Sequence, residues 1–345
     1  MNGRQRIAAA LAGEWPDRVP VMLHNFLMAA REAGVSQRRF REDPAAIAAS
    51  FIRAVETYDY DGVLVDVDTA TLAEALGVPV RLPEDEPAHC TGGCLPDLAA
   101  VPDLAPPDVG RHPRVQVWVE AVRLLRAHFG TEIFIRGNCD QAPFSLAGLM
   151  RGQADWLVDL LDPDKHDPAR TLLDYCGLAV TQFMGLMAGA GADMLSNGDS
   201  PAGPDVISPA MYVRFAQSHE RSAAAESHRI GLPYALHICG DTTRILEEMI
   251  STGADALELD YTVDLRAARD AMRDRTTFIG NVDPSGVLAF GSPADVERAT
   301  RAVLAVFAET PRFILNAGCA IPAETARDNL QAMTRAARRF RHQPC

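Results

Sequence analysis

Short apolar runs alternate with longer amphipathic segments along almost the whole chain. The apolar runs predict eight strands: VPVMLHN (19–25), GVLVDVD (62–68), IFIRGNC (133–139), MLSNGD (194–199), YALHICG (234–240), ALELDYT (256–262), TFIGNVD (277–283) and FILNAGC (313–319). Segments with helical periodicity lie between most of them, at 44–58, 115–129, 168–188, 209–229, 243–252 and 293–307. Because strands that alternate with helices form parallel sheets, the pattern predicts an α/β protein.

Each apolar run closes on polar residues. These residues are His24, Asn25, Asp66, Asp68, Asn138, Asp199, His237, Asp260, Asn281, Asp283 and Asn316. In a (β/α)8 barrel the carboxyl ends of all the strands meet on one face, where the active site lies. An open, doubly wound sheet also binds ligands at strand ends, but no G-x-G-x-x-G follows the first strand. We therefore predict a (β/α)8 TIM barrel that spans residues 1–345 as a single domain, with an N-terminal helical extension.

Residues 82–113 do not fit this alternation. They are rich in Pro, Gly, Asp and Cys and have little periodicity. We expect an inserted loop or small hairpin between the second and third units, for which a lid is one role. His89, Cys90 and Cys94 in HCTGGC could hold a structural metal ion, but no fourth ligand is evident. Incidental thiols in a glycine-rich loop are the simpler interpretation.

Composition and charge narrow the class of protein. The chain has 345 residues, 48% of them hydrophobic and 23% charged, as is typical of a soluble globular protein. Its formal net charge of −13 disfavours nucleic acids and anionic membrane surfaces as partners. No export signal or membrane-spanning run is expected, and the seven irregularly spaced cysteines, of which Cys345 is the last, do not suggest a disulfide framework. These features predict a cytoplasmic protein with reduced thiols.

The strand YALHI carries a histidine near its end, and a cysteine follows two residues later. Alternate strand residues share a face, so His237 and Cys239 can point at one spot. Imidazole and thiolate together suit zinc. Cys319, which ends the last predicted strand, is the most plausible third ligand and would leave a fourth position open, as in catalytic zinc sites. The alternative is that these cysteines act as small hydrophobic residues.

Acidic strand ends offer further chemistry. Asp199, in SNGDSPAG, could act as a general acid or base, a substrate clamp or a neighbour of zinc, but turn and capping chemistry would also explain it. Asp66 and Asp68 point the same way on one strand, and could hold a cation, share a proton or pair with Arg or Lys. Asn281 and Asp283, in GNVDP, have the same ambiguity.

Several motifs together resemble the uroporphyrinogen decarboxylase superfamily. They are DRVPV near the start, SNGDSPAGPDVISPAMYVRF, LPYALHICGDTTRILEEMISTGADALELD, FIGNVDPSGVL and FILNAGCAIPAETARDNL. The resemblance extends over nearly the full chain and is most specific from Asp199 onward. It implies a (β/α)8 barrel, in agreement with the number of predicted strands.

Two branches of this superfamily differ at positions that can be compared here. The decarboxylases use no metal and carry an arginine-rich motif after the first strand, where this chain has MLHNFLMAAREAG and retains only Arg31. The corrinoid-dependent methyltransferases, including methylcobalamin:coenzyme M methyltransferases, look similar through H-x-C-G and a distant G-C-x-I-P. Those residues bind zinc in that branch. The resemblance thus implies that His237, Cys239 and Cys319 are zinc ligands.

The same resemblance implies a reaction. The enzyme would move a methyl group between a corrinoid, either methylcobalamin or a partner corrinoid protein, and a zinc-activated thiol or similar acceptor. Asp199 is then the expected catalytic residue. Strand-end position predicts the substrate-binding residues, which are His24, Asn25, Asp66, Asn138, Asp260 and Asn281.

Several points stay open at this level. The methyl acceptor or donor could be coenzyme M, another thiol or a pterin, and Arg136 is the candidate for contacting a sulfonate. The direction of transfer and the oligomeric state, a homo-oligomer included, are also open. The alternative functions are a metal-free lyase similar to uroporphyrinogen decarboxylase and a non-catalytic binder of corrinoid or porphyrin.

Overall fold

The computed structural model describes residues 1–341, so Cys345 and the end of the predicted domain lie outside the described part. Its strands are Met22–Leu23 (β1), Gly62–Val65 (β2), Val80–Arg81 (β3), His89–Cys90 (β4), Phe134–Gln141 (β5), Met194–Gly198 (β6), Tyr234–Ile238 (β7), Ala256–Leu259 (β8), Thr277–Val282 (β9) and Phe313–Ala317 (β10). Within residues 1–341, eight of them form a parallel sheet in the order β1-β2-β5-β6-β7-β8-β9-β10. A parallel bridge between Val21 and Leu315 closes this sheet into a barrel. The predicted (β/α)8 TIM barrel is confirmed, and each predicted run coincides with a barrel strand.

The helices surround the barrel. They are Gly3–Ala12 (α1), Phe26–Glu32 (α2), Gln37–Glu42 (α3), Pro44–Tyr58 (α4), Thr71–Ala75 (α5), Pro113–Phe129 (α6), Pro143–Arg151 (α7), Gln153–Asp159 (α8), His166–Gly189 (α9), Pro209–Met211 (α10), Gln217–Ile230 (α11), Leu246–Ile250 (α12), Leu265–Met272 (α13), Pro293–Val306 (α14) and Arg327–Arg339 (α15). Several of them begin at a proline, because the first helical position needs no backbone N–H donor. The segment predicted as one helix at 209–229 is divided by a π-helical turn at Tyr212–Ala216.

The side chains that point into the barrel are apolar at the amino ends of the strands and polar toward the carboxyl ends. At the amino end, Met22, Phe134, Met194, Ala235, Ala256, Ile279 and Ile314 pack against Ile7 and Ala10 of α1 in one buried cluster. Helix α1 therefore covers that end of the barrel. Two residues further along β5, β7 and β8, the same face carries Arg136, His237 and Glu258. The chemistry-bearing side chains thus lie toward the carboxyl end of the sheet.

The segment at 82–113 follows the flank of the barrel. Strands β3 and β4 pair antiparallel as a small hairpin. Further along, the backbone N–H groups of Cys94 and Leu95 donate to the Met150 carbonyl at 2.8 and 2.9 Å, which ties the segment to α7. None of its described residues lines the cavity at the barrel mouth. The structure therefore gives a lid no support, and the division of the chain into one domain with an insertion stays a prediction.

Helix α9 belongs to a long and mainly apolar helical stretch. By length and composition, Pro163–Gly189 could cross a membrane, with a hydropathy of 1.2 over its most apolar window. In the fold, however, Leu172, Phe183 and Met187 of this helix are fully buried in the main core. Packing against the barrel therefore explains its apolar character, since core helices of globular proteins can be equally long and apolar.

Candidate metal centre

Three sulfur and nitrogen donors meet at the barrel mouth. His237 lies on β7, Cys239 follows that strand, and Cys319 follows β10. His237 Nε2 is 3.1 Å from Cys239 Sγ and 3.8 Å from Cys319 Sγ, and the two sulfurs are 3.6 Å apart. Strands β7 and β10 are not neighbours in the sheet, so the narrow mouth brings the three side chains together.

Backbone packing explains how the two cysteines converge. The N–H of Cys239 donates to Ser200 Oγ at 3.3 Å, which holds the turn after β7. Beside Cys319, Gly318 lies so close to the next loop that a Cβ atom would be 2.5 Å from the backbone nitrogen of Tyr261. Glycine at 318 therefore permits the close approach that brings Cys319 over the mouth.

Hydrogen bonds and charges prepare these donors for a cation. His237 Nδ1 is 2.9 Å from the Glu258 carbonyl oxygen and donates to it, which leaves Nε2 facing the sulfurs. Burial lowers the pKa of His237, but the charge and hydrogen bond of Cys239 outweigh it and raise that pKa to about 9. The hydrogen bond from Cys319, together with His237, lowers the pKa of Cys239 to about 3 against the effect of burial. The same hydrogen bond and burial raise the pKa of Cys319. The cluster thus favours a thiolate at Cys239, at a place where a metal ion could replace the protons of the cluster.

The donors open into a cavity of about 150 Å³ within the barrel mouth. Its wall includes the charged or polar residues His24, Asp66, Arg136, Asn138, Asp140 and Glu258. Arg136 Nη1 donates to Glu258 Oε2 at 2.5 Å, and His24 Nε2 is 2.7 Å from Asp66 Oδ2. Asn316 Nδ2 donates to the other Glu258 oxygen at 3.0 Å. His24 Nδ1 lies 3.5 Å from this same oxygen, so Glu258 links two cations and an amide beneath the cavity.

These buried charges stabilise one another. Burial lowers the pKa of His24, but the hydrogen bonds and charges of Asp66 and Glu258 outweigh it and raise that pKa to about 9. Burial likewise raises the pKa of Glu258, but the Arg136 charge and the hydrogen bond of His24 bring it well below its usual range. At neutral pH, His24 is therefore cationic and Glu258 anionic.

The structure brings only some of the predicted substrate-binding residues to the cavity. His24, Asp66 and Asn138 line it. Asn25 instead accepts a 3.5 Å hydrogen bond from Tyr60, and Asp260 accepts bonds from the N–H and hydroxyl of Thr262, both at 3.0 Å. Asn281 donates to the Asp260 carbonyl at 3.0 Å. These last three side chains stabilise loops at the strand ends, so a strand-end position did not by itself identify a lining residue.

Asp199, the predicted catalytic residue, lies behind β7. It is fully buried, and its Oδ1 accepts hydrogen bonds from the Ser145 N–H and hydroxyl at 2.8 and 2.5 Å. Its own N–H donates to the His237 carbonyl at 2.8 Å. The arrangement favours the alternative of turn chemistry, in which Asp199 positions the strand that carries His237.

The sequence analysis missed three residues at this site. In ALELD, Asp260 was predicted as a site residue and Glu258 was not, although a glutamate inside an apolar strand itself indicates a buried partner. Asp140 was missed because the third strand was predicted to end at Cys139, whereas β5 runs to Gln141. Ser200 gave no local signal, because its role depends on the approach of another strand.

The fold and the site together define a (β/α)8 barrel with a sulfur-rich donor set, able to hold a metal ion, at its mouth. The chain belongs to the uroporphyrinogen decarboxylase family, whose model matches residues 2–340. This confirms the family that the sequence motifs indicated.

Curated relatives and solved structures refine the comparison. A methylcobamide:CoM methyltransferase, MtbA of Methanosarcina acetivorans, is 32% identical over 66% of this chain, and the match spans 65% of that relative's length. MtaA of Methanosarcina barkeri, also named methylcobamide:CoM methyltransferase, is 25% identical over 96% of both chains. A methyltransferase structure from Methanosarcina mazei has a TM-score of 0.90, 24% identity and 99% coverage of both chains, which shows the shared fold. A uroporphyrinogen decarboxylase of Alkalilimnicola ehrlichii is 27% identical over 98% of this chain and 95% of its own length.

Proposed function

We propose that this chain is a zinc-dependent methyltransferase that moves a methyl group between a corrinoid and a thiol acceptor. The observation that carries the proposal is the set His237, Cys239 and Cys319, whose donor atoms all lie within 4.8 Å of one another. Two sulfurs and one imidazole are typical zinc ligands, and a set of three leaves a position for substrate. The relatives named methylcobamide:CoM methyltransferases support the choice of reaction.

The residues present fit a resident zinc ion. His237 is held by the Glu258 carbonyl, so Nε2 is free to act as a ligand. Cys239 and Cys319 as thiolates contribute two negative charges, which balance those of a divalent ion. When bound, zinc would lower the pKa of an acceptor thiol so that it is a thiolate at neutral pH.

The cavity determines how the reactants meet. A volume of about 150 Å³ suits a small acceptor but is far too small for a corrinoid macrocycle. The corrinoid must therefore approach from the mouth, carried by a partner corrinoid protein or as free methylcobalamin. The thiol proton of the acceptor would pass to water, its sulfur would form the new bond to the methyl carbon, and the cobalt–carbon bond would break with its electron pair left on cobalt. The cavity walls hold the acceptor in line for this displacement.

The proposal extends to partners and location. We expect a corrinoid protein and a small-molecule acceptor or donor as partners, without nucleic acid or membrane, in the cytoplasm. The net charge of −13 supports the exclusion of polyanionic partners.

A metal-free decarboxylase is the second candidate, because decarboxylase relatives also match nearly the whole chain. Arg31 is the one arginine left from the carboxylate-binding motif of that branch, and its Nη1 donates to the Ala323 carbonyl at 3.1 Å. It does not line the cavity. The cavity wall therefore favours methyl transfer over recognition of a polycarboxylate.

Elemental analysis followed by a methylcobalamin assay over a panel of thiols tests the proposal. We expect one zinc per chain, and we expect Cys239→Ala to lose both zinc and methyl transfer while the fold persists. The activity should fall further than the roughly 10–100-fold typical of losing an outer partner of a metal ligand.

Cys94→Ser is the matched control, because Cys94 is half-buried, lies outside the cluster and bonds the Leu76 carbonyl. It should keep full zinc content and activity. Wild-type protein that binds no zinc and decarboxylates uroporphyrinogen would contradict the proposal in favour of the second candidate, and binding of a corrinoid without turnover of any thiol would favour a non-catalytic binder.

A further inference from the structure

Asp140 occupies an unusual position on the side of the cavity formed by β2 and β5. Its backbone φ is +60°, a left-handed conformation that few residues other than glycine adopt. The pairing of β5 with β6 shifts register between Asn138 and Gln141, on either side of it. Because of this irregularity, Asp140 and Gln141 both line the cavity. Such backbone strain is typical of functional sites.

The two carboxylate oxygens of Asp140 differ in their hydrogen bonding. Oδ2 accepts a hydrogen bond from the Leu72 N–H at 2.7 Å. Oδ1 makes no well-directed hydrogen bond among residues 1–341, although the Gln141 side chain interacts with this carboxyl and the residue is only 1% exposed. A buried polar atom without a partner costs free energy, so an oxygen left in this state at a cavity wall points to a ligand.

The other charged groups of the cavity wall are already paired. Arg136 is bound to Glu258, and His24 is bound to Asp66 and lies 3.5 Å from Glu258. The two cysteine thiolates would balance a divalent ion at the metal centre. Asp140 is therefore the one ionisable group of the wall, within the described residues, that has no charged partner. Arg136 Nε and His24 Nδ1 also lack a hydrogen-bond partner within residues 1–341, but both side chains already have an anionic partner.

We propose that Asp140 binds a cationic group of the methyl acceptor, so that the acceptor is a small aminothiol rather than a thiol that carries a sulfonate. This inference rests on the proposed function and names the substrate class for the same site. Burial and the neighbouring Asp68 raise the pKa of Asp140 to about 8, so the empty site avoids an isolated buried charge. An ammonium group would bring that pKa down and form a buried ion pair.

Thiols of one chain length test the proposal: 2-aminoethanethiol, 2-mercaptoethanol and 2-mercaptoethanesulfonate. Their dissociation constants on zinc-loaded protein are measured by calorimetry, and kcat and KM are measured with methylcobalamin. We expect the wild type to bind the aminothiol at least roughly tenfold more tightly than the sulfonate, as for a close charge pair. Asp140→Asn can still accept the hydrogen bond from the Leu72 N–H. It should lose the preference through a higher KM for 2-aminoethanethiol, whereas the KM for 2-mercaptoethanol, which has no charged group, should change little.

Two results would count against the proposal in different ways. Tighter binding of the sulfonate by the wild type, or an Asp140→Asn protein with unchanged ranking, overturns the inference and leaves the methyltransferase proposal intact. If zinc-loaded wild type neither binds nor methylates any of the three thiols, the proposed function itself fails. The wild-type ranking decides the matter even if the variant does not fold.

Discussion

The cavity at the barrel mouth has two unlike sides. The sulfur side consists of His237 on β7, Cys239 in the turn after β7 and Cys319 after β10, whose soft donors meet at one point. The acid side consists of Asp66, which follows β2, and Asp140, which lies at an irregular end of β5. The difference indicates a division of labour. In the proposed function, the ends of β7 and β10 would supply the metal ligands, and the irregular end of β5 would supply the group that selects the substrate.

Glu258 lies between the two sides, and its removal should have the largest effect on stability. Its carboxylate is fully buried and bonds Arg136, while its backbone carbonyl holds His237. Glu258→Gln leaves the Arg136 charge uncompensated, so we expect a loss of about 3–5 kcal/mol in the free energy of unfolding. Urea denaturation measures this loss. The zinc content should remain near the wild-type value, because the carbonyl that orients His237 is retained.

An exposed ion pair supplies the control for Glu258→Gln. Glu297 and Arg301 bond at 2.7 Å on the surface of α14, where solvent screens the pair, so Glu297→Gln should leave the free energy of unfolding almost unchanged. If Glu258→Gln unfolded no more easily than Glu297→Gln, Glu258 would not join the two sides as described. If it lost zinc as well, the two sides would not be separable.

The two sides also differ in how far the sequence predicted them. The two-residue period of a strand predicted that His237 and Cys239 share a face, and Cys319 was predicted from its place at the end of the last strand. The same period extended past Asn138 would have reached Asp140. The positive φ of Asp140 and the register shift beside it carry no clear signal in the sequence, because they arise from pairing with β6. Asp260 and Asn281 were predicted to bind substrate, but their local hydrogen bonds depend on loop geometry that periodicity does not reveal. The barrel itself was predictable, since each strand and most helices have their own periodic signal.

A buried carboxyl pair behind the sulfur side should make stability depend on pH. Glu220 is fully buried and accepts a hydrogen bond from Tyr212, and burial together with the charge of Asp199 raises the pKa of Glu220 well above its usual value. The folded state therefore keeps a proton that the unfolded chain releases above its pKa of about 4.5. The free energy of unfolding should fall by about 1.4 kcal/mol per pH unit in that window.

Glu220→Gln removes this proton and hence this slope. As the pH rises above about 5, the free energy of unfolding of the wild type should fall relative to that of the variant in urea denaturation. Glu226→Gln, on the same helix but paired with Arg229 at the surface, should follow the wild type closely. Equal pH dependence in Glu220→Gln and wild type would mean that Glu220 is ionised in the fold.

The smallest effect is expected at Ser200, which supports the sulfur side through a single hydrogen bond. Its Oγ accepts from the Cys239 N–H at 3.3 Å, so Ser200→Ala removes a weak bond next to a ligand without touching the ligand itself. Loss of one such bond costs about 0.5–1.5 kcal/mol, so zinc affinity in a chelator competition should fall roughly two- to tenfold. Ser222→Ala, which removes an exposed hydroxyl that bonds the Ser218 carbonyl, should leave affinity unchanged. A loss approaching that of Cys239→Ala would show that the sulfur side is assembled by its supporting turn rather than by the strands themselves.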